Sequence, residues 1–287
     1  MSKITEIQAQ TLKIPKIILI TAKLFEAIST KLVTLFAAKL FTTPIKHKIP
    51  NREFHMDKES VQETVLIPSI NKKIIVYHYG KSDKKILLVH GWSGRGTQLV
   101  RIADDLLHLG YSTISFDAPA HGKSKGNSSI MVEFIASILE LEKRFGPFEF
   151  AIGHSLGGMS ILNAIRDHLK IKKAVIIGSG DIIQDIIDDF IKKLKLKPEI
   201  AMRLRNHFEK KYGENMDYYS ASNVAKEVLT PILIIHDEND EEVNVRAAYH
   251  ISESLKNSEL MITKNLGHRK ILGNPQVIKR IVEYLKD

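Results

Sequence analysis

Between Ile86 and Leu285, short apolar runs of strand character alternate with longer stretches of helical periodicity, and this alternation constrains the fold more than any other feature. Strands are predicted at 64–67, 73–79, 86–89, 112–116, 148–152, 174–177, 232–235 and 259–263, eight in all. From the third onward helices separate most of them, near 98–109, 129–144, 155–169, 245–255 and 275–285. Crossover connections of this kind set neighbouring strands parallel and cover both faces of the sheet with helices. The expected class is therefore α/β, with a mostly parallel eight-stranded sheet. The first two strands, joined by the short turn Ser69-Ile70-Asn71-Lys72, are expected to form an antiparallel edge. At 287 residues and 44% hydrophobic content, the chain suits one large domain with an insertion.

Gly153-His154-Ser155-Leu156-Gly157-Gly158 follows the apolar run Phe148 to Ile152 and precedes a helical stretch. A strand, Gly-x-Ser-x-Gly and helix in that order are what a nucleophile elbow requires. The serine of such an elbow sits in a turn so sharp that neighbouring side chains must be nearly absent, which accounts for Gly153 and Gly157. Ser155 is thus a candidate nucleophile, and the Leu156 N–H would face an oxyanion formed by its attack. The pattern also occurs as a plain strand-helix turn, so residues further along decide between the two readings. After the strand Ile232–Ile235 comes His236-Asp237-Glu238-Asn239-Asp240-Glu241-Glu242-Val243, an acidic loop able to deliver an orienting carboxylate. Beyond the next strand, Leu266-Gly267-His268-Arg269 places a histidine in a loop ahead of the final helix. The chain order is serine, acid, histidine.

Two more motifs complete a resemblance. His90-Gly91-Trp92-Ser93-Gly94 ends the strand Ile86–Val89 and resembles a His-Gly-x-x-Gly oxyanion motif. Asp117-Ala118-Pro119-Ala120-His121-Gly122-Lys123-Ser124 resembles an Asp-x-x-Gly-x-Gly-x-Ser structural turn. With these, the chain is identified as a member of the α/β-hydrolase superfamily, the resemblance running from about His90 to His268. It implies the α/β-hydrolase fold with a helical cap insertion, and it implies that the Trp92 N–H is the second oxyanion donor. Two positions depart from the pattern: Ala120 replaces a common glycine, and Asp237 stands where a glycine often begins the acid loop. By family spacing Asp240 orients His268, with Asp237, Glu238 and Glu241 as alternatives.

The activity so implied is that of a serine hydrolase cleaving a carboxylic ester or thioester through an acyl-Ser155 intermediate, with His268 as the base. A peptidase, amidase or acyltransferase would share the same triad, and a non-catalytic binding protein could keep the same scaffold. The serine at the elbow argues against dehalogenase and epoxide-hydrolase chemistry, which in this superfamily use aspartate there. The expected partner is a small-molecule acyl substrate, and no cofactor is expected. Gly122-Lys123-Ser124 ends like a phosphate loop, but Asp117 holds the place of its first glycine, so a nucleotide site is not expected. The twelve histidines include no His-Glu-x-x-His, and no metal site is expected. His121 and His154 are expected to pack near the site, and His250 to lie on a helix surface.

Residues 181–229 interrupt the alternation and read as the helical cap, between core segments 59–180 and 230–287. Their Ile182, Ile183, Ile186, Ile187, Phe190 and Ile191 recur at helical spacing, a stripe expected to pack on the main domain. Nine basic and nine acidic residues cancel there, so the insertion announces no charged substrate. Lys192, Lys193, Lys195 and Lys197 read as a solvated helix face. Residues 1–58 form a basic extension, carrying +6 of the total +9. One amphipathic helix is predicted over 14–41; it is expected to pack on the hydrolase domain, with an anionic membrane surface or a second subunit as alternatives. Its lysines break every apolar run short of a membrane span, and it lacks the order of a signal peptide. Without aromatic-basic clusters, nucleic-acid binding is not expected. The absence of cysteine excludes disulfides and fits a cytoplasmic location.

Overall fold

The computed structural model describes residues 14–286; the part of the N-terminal extension before residue 14 lies outside them. Eight strands, β1 (Val61–Ile67), β2 (Lys72–Tyr79), β3 (Lys85–Val89), β4 (Ser112–Asp117), β5 (Phe150–His154), β6 (Lys173–Ile177), β7 (Ile232–Asp237) and β8 (Ser258–Thr263), form one sheet in the order β1-β2-β4-β3-β5-β6-β7-β8. β1 is antiparallel to β2 and β2 to β4, and every other pair is parallel. The expected antiparallel edge is present and reaches one pairing further inward. β5 begins two residues later than expected, because Phe148 turns into the apolar core beside the sheet instead of pairing.

The helices are α1 (Lys16–Ile28), α2 (Thr30–Phe41), α3 (Phe54–Glu59), α4 (Val100–His108), α5 (Met131–Phe145), α6 (Leu156–Arg166), α7 (Ile183–Lys193), α8 (Glu199–Tyr212), α9 (Ala221–Ala225), α10 (Arg246–Ser254), α11 (Gly267–Lys270) and α12 (Pro275–Lys286). Strand side chains alternate between two apolar layers: Leu87 and Val89 meet the layer of α5 and α6, whereas Ile86 and Leu88 meet that of α4 and α12. β7 is buried along its whole length, which is why its first four residues, Ile232–Ile235, are apolar without alternation.

The helix expected over 14–41 is two helices. Ser29 takes extended backbone (φ −162°, ψ 130°) and its hydroxyl accepts the Leu32 N–H, ending α1 and capping α2. Ala22, Val33, Ala37 and Ala38 join the main apolar core, and the Phe41 ring meets Phe190 of α7 edge-on at 5.1 Å. The insertion 181–229 holds α7, α8, a 3-10 turn (Met216–Tyr219) and α9.

Candidate active site

Ser155 lies just past the end of β5, in the middle of the sheet, with φ 53° and ψ −120°. It stands outside α6, which starts at Leu156 and not at Ser155 as the periodicity suggested. The elbow tolerates no side chain at its glycines: a Cβ on Gly157 would come within 2.3 Å of the Val89 carbonyl oxygen, and one on Gly153 within 2.6 Å of the Gly157 backbone. The Ser155 N–H donates to Ile177 O at 2.8 Å, fixing the turn to β6. Leu156 is the first residue of its helix, so its N–H has no acceptor within the helix and sits at the positive end of the dipole.

His268 comes from the segment after β8 and Asp240 from the loop after β7. The Nδ1–H of His268 donates to Asp240 Oδ2 at 2.7 Å, with both side chains almost wholly buried. That bond leaves Nε2 as the imidazole's free acceptor. Asp240 Oδ1 accepts the N–H groups of Glu242 (2.8 Å) and Val243 (2.9 Å). Burial pushes this carboxyl up, but the His268 contact and the two backbone donors outweigh it and hold the group below the usual carboxylate range. Asp237 faces elsewhere, accepting from Thr263 Oγ1 (2.7 Å) and the Leu266 N–H (3.1 Å), so it closes the turn that carries His268. Glu238 pairs with Lys264 at the surface and Glu241 is exposed; neither meets the imidazole. His268 itself lies in the one-turn helix α11 rather than a loop.

The segment after β3 is built to approach the elbow. A Cβ on Gly91 would lie 3.0 Å from Ser155 Cβ and 2.9 Å from His154 Nδ1. His90 is neutral and held at both ring nitrogens, Nδ1 donating to Gly91 O (2.7 Å) and Nε2 accepting the Ala118 N–H (3.0 Å). Asp117, buried at the end of β4, accepts from the Gly96 N–H (2.7 Å), the Lys123 N–H (2.6 Å) and Tyr77 Oη (2.9 Å). A Cβ on Gly122 would strike that carboxyl at 2.3 Å, so the Asp117–Ser124 turn is a structural knot. The His121 Nδ1–H donates to Pro119 O at 2.9 Å, and the His154 Nε2–H donates to His268 O at 2.9 Å, backing the histidine segment. Burial lowers His121 to about 4 and His154 to about 3.

Ser155, Trp92, Leu156 and Asp240 all border one cavity of about 990 Å³. Its walls are largely apolar, from Met131 of α5, Met159 of α6, and Ile182, Ile186 and Phe190 at α7. The isoleucine stripe of the insertion therefore divides: Ile187 and Ile191 are buried in the main core, Ile182, Ile186 and Phe190 face the cavity, and Ile183 reaches both. Leu40 and Phe41, at the end of α2, complete the wall. Trp92, Ser155, Asp240 and His268 follow the carboxyl ends of the parallel strands β3, β5, β7 and β8, where open α/β sheets bind their ligands.

A model described as the α/β hydrolase fold matches residues 84–215, and one described as TAP-like protein matches residues 214–287. The chain belongs to the α/β-hydrolase superfamily. A monoglyceride lipase homolog of Monkeypox virus is 22% identical over 240 residues, spanning 70% of this chain and 87% of that protein. Among solved structures, an esterase of Pyrococcus furiosus superposes with a TM-score of 0.65 at 20% identity, over 85% of this chain and 96% of the other. A membrane phospholipase A, described as a bacterial virulence factor, gives 0.63 at 16% identity over 95% of this chain and 98% of the other. At such identities these two structures speak to the fold alone.

The departures from the α/β-hydrolase pattern have visible consequences. Ala120 holds the left-handed conformation (φ 65°) that glycine takes without strain. Asp237 in place of glycine supplies the loop-closing contacts described above. Sequence reasoning missed one polar pair: His250, expected on a helix surface, does sit on α10 but turns to the cavity, its Nδ1 3.3 Å from Asp181 Oδ2. Asp181 is buried and also accepts the Ser222 N–H at 2.7 Å. Nothing local marks this pair, because its members lie 69 residues apart and meet only when the insertion folds back. Lys193, read as solvated, borders the cavity and pairs with Asp189 at 2.5 Å. Among the described residues no group of three or more His, Cys, Asp or Glu is arranged to hold a metal ion.

Proposed function

We propose that this protein is a serine hydrolase that cleaves a carboxylic ester or thioester with an apolar acyl chain. The observation that carries the reading is the 2.7 Å His268–Asp240 pair, its imidazole 4.6 Å from the His154 ring, with a strained Ser155 next in the chain after His154 on the wall of an apolar cavity that Asp240 also borders. Ser155 Oγ attacks the acyl carbonyl while His268 Nε2 takes its proton, and Asp240 holds the imidazole in the required tautomer. The tetrahedral oxyanion is stabilised by the N–H groups of Trp92 and Leu156, each worth about 10²–10³ in rate. Collapse of that intermediate breaks the ester bond, and the leaving alcohol or thiol takes the proton from His268. Water then attacks the acyl-Ser155 ester by the same route, its proton passing through His268 back to Ser155, and the carboxylic acid departs.

The lipase description of the viral relative supports an ester over an amide, and the cavity has the size and apolar lining for an acyl chain. A series of p-nitrophenyl esters of increasing chain length tests the reading. The expected result is turnover that rises beyond acetate and falls in Ser155→Ala by on the order of 10⁴-fold or more. Turnover unchanged in Ser155→Ala would overturn it.

A further inference from the structure

The α1–α2 hairpin is apolar on two faces. Its inner face is buried against the main core and α8, where the Lys197 N–H donates to Glu26 Oε1 at 2.6 Å. Its outer face should then be polar, as on any helix that covers a soluble domain. Instead Ile17 (67%), Ile20 (64%), Leu24 (56%) and Ile28 (64%) of α1 stand exposed, and Leu32 and Leu35 extend the strip onto α2. Lys16, Lys23, Lys31 and Lys39 are exposed around it. Glu26 is the one acidic residue between 16 and 41, and it is turned inward, its side chain 9% exposed and bonded to Lys23.

We propose that this outer face docks on an anionic lipid bilayer. An apolar strip bordered by lysines, whose one acidic neighbour, Glu26, is turned inward, matches the boundary between acyl chains and negative headgroups. Charge also decides against a second copy of the chain. Pairing two such faces would set lysine against lysine with no exposed carboxylate in the hairpin to accept them. None of the described helices is long and apolar enough to cross a membrane, so the hairpin lies in the interface plane. The other side of α2 bears Leu40 and Phe41 on the cavity wall, so docking holds the cavity one helix from the lipid. The surface stands on its own residues and does not depend on the acyl-transfer reading.

Flotation of the full chain with vesicles of phosphatidylcholine, alone or mixed with phosphatidylglycerol, tests the proposal. The expected result is flotation with the anionic vesicles, weakened by salt and reduced by about tenfold or more in Ile20→Glu/Leu24→Glu and in Lys16→Glu/Lys31→Glu. Thermal unfolding and hydrolysis of a soluble short-chain ester should be unchanged in both, so lost flotation is not lost folding. The unfolding control is independent of activity, so the docking result stands even for a protein that cleaves no ester. Failure to float with either vesicle would overturn the proposal. So would equal flotation of the variants, or a dimer in sedimentation that the variants abolish without any lipid binding.

Discussion

Asp237 and Asp240 stand three residues apart in one loop and do different work. Asp240 points both oxygens at the site side, one on His268 and one on the backbone of its own loop, while Asp237 ties β7 to the turn after β8. Asp240→Asn should therefore cost about 10⁴-fold in kcat with little change in unfolding midpoint, because the imidazole loses its tautomer and not its packing. Asp237→Asn should cost about 1–3 kcal/mol of stability, since a closing acceptor becomes a mismatched amide. Steady-state kinetics and denaturant unfolding on both variants separate the two; the reverse assignment of effects would exchange the roles. In the sequence Asp240 stood first by family spacing only. The choice depends on where the chain returns after β8, a tertiary fact that no local pattern carries.

Helix α7 shows how one element serves both core and cavity. Ile187 is fully buried in the core, and Ile186, one residue away and turned by about 100°, borders the cavity. Ile187→Ala should destabilise the protein by about 2–5 kcal/mol and leave the acyl-length preference alone. Ile186→Trp should shift that preference toward shorter chains with little loss of stability; the ester series together with unfolding curves checks both. The amphipathic period of this stretch was legible, because helical spacing is local. Its division between two environments was not, nor was the break at Ser29, where a single cap converts one predicted helix into the α1–α2 hairpin. The central strands were legible for a related reason: a parallel strand buried on both faces carries an unbroken apolar run, as do Ile86–Val89 in β3, Ala174–Ile177 in β6 and Ile232–Ile235 in β7.

At the scale of the whole molecule, four histidines lie buried around the candidate site, His90, His121, His154 and His236, the last 3.5 Å from Asp240 Oδ2, and burial lowers the pKa of all four. Burial holds His154 to about 3, His121 to about 4 and His90 well below the ordinary 6.5. The unfolded chain therefore binds protons that the folded one refuses, so stability is full above about pH 6.5 and falls as the pH drops toward 4. Each such histidine steepens the loss by up to about 1.4 kcal/mol per pH unit. Asp240, held below its unfolded value, adds a further loss at the acid end as the pH falls through the carboxylate range. Thermal unfolding between pH 7.5 and 4, roughly the window these shifts define, should show a midpoint that falls steadily; a flat profile would mean the histidines are not neutral in the fold. The claim on which the rest depends is that Ser155 is a nucleophile activated by His268. Its most direct test is labelling with a fluorophosphonate followed by mass mapping of the adduct. A single adduct on Ser155, absent from Ser155→Ala and from His268→Ala, is the expected result. A folded protein that takes up no probe, or takes it up equally in both variants, would contradict it.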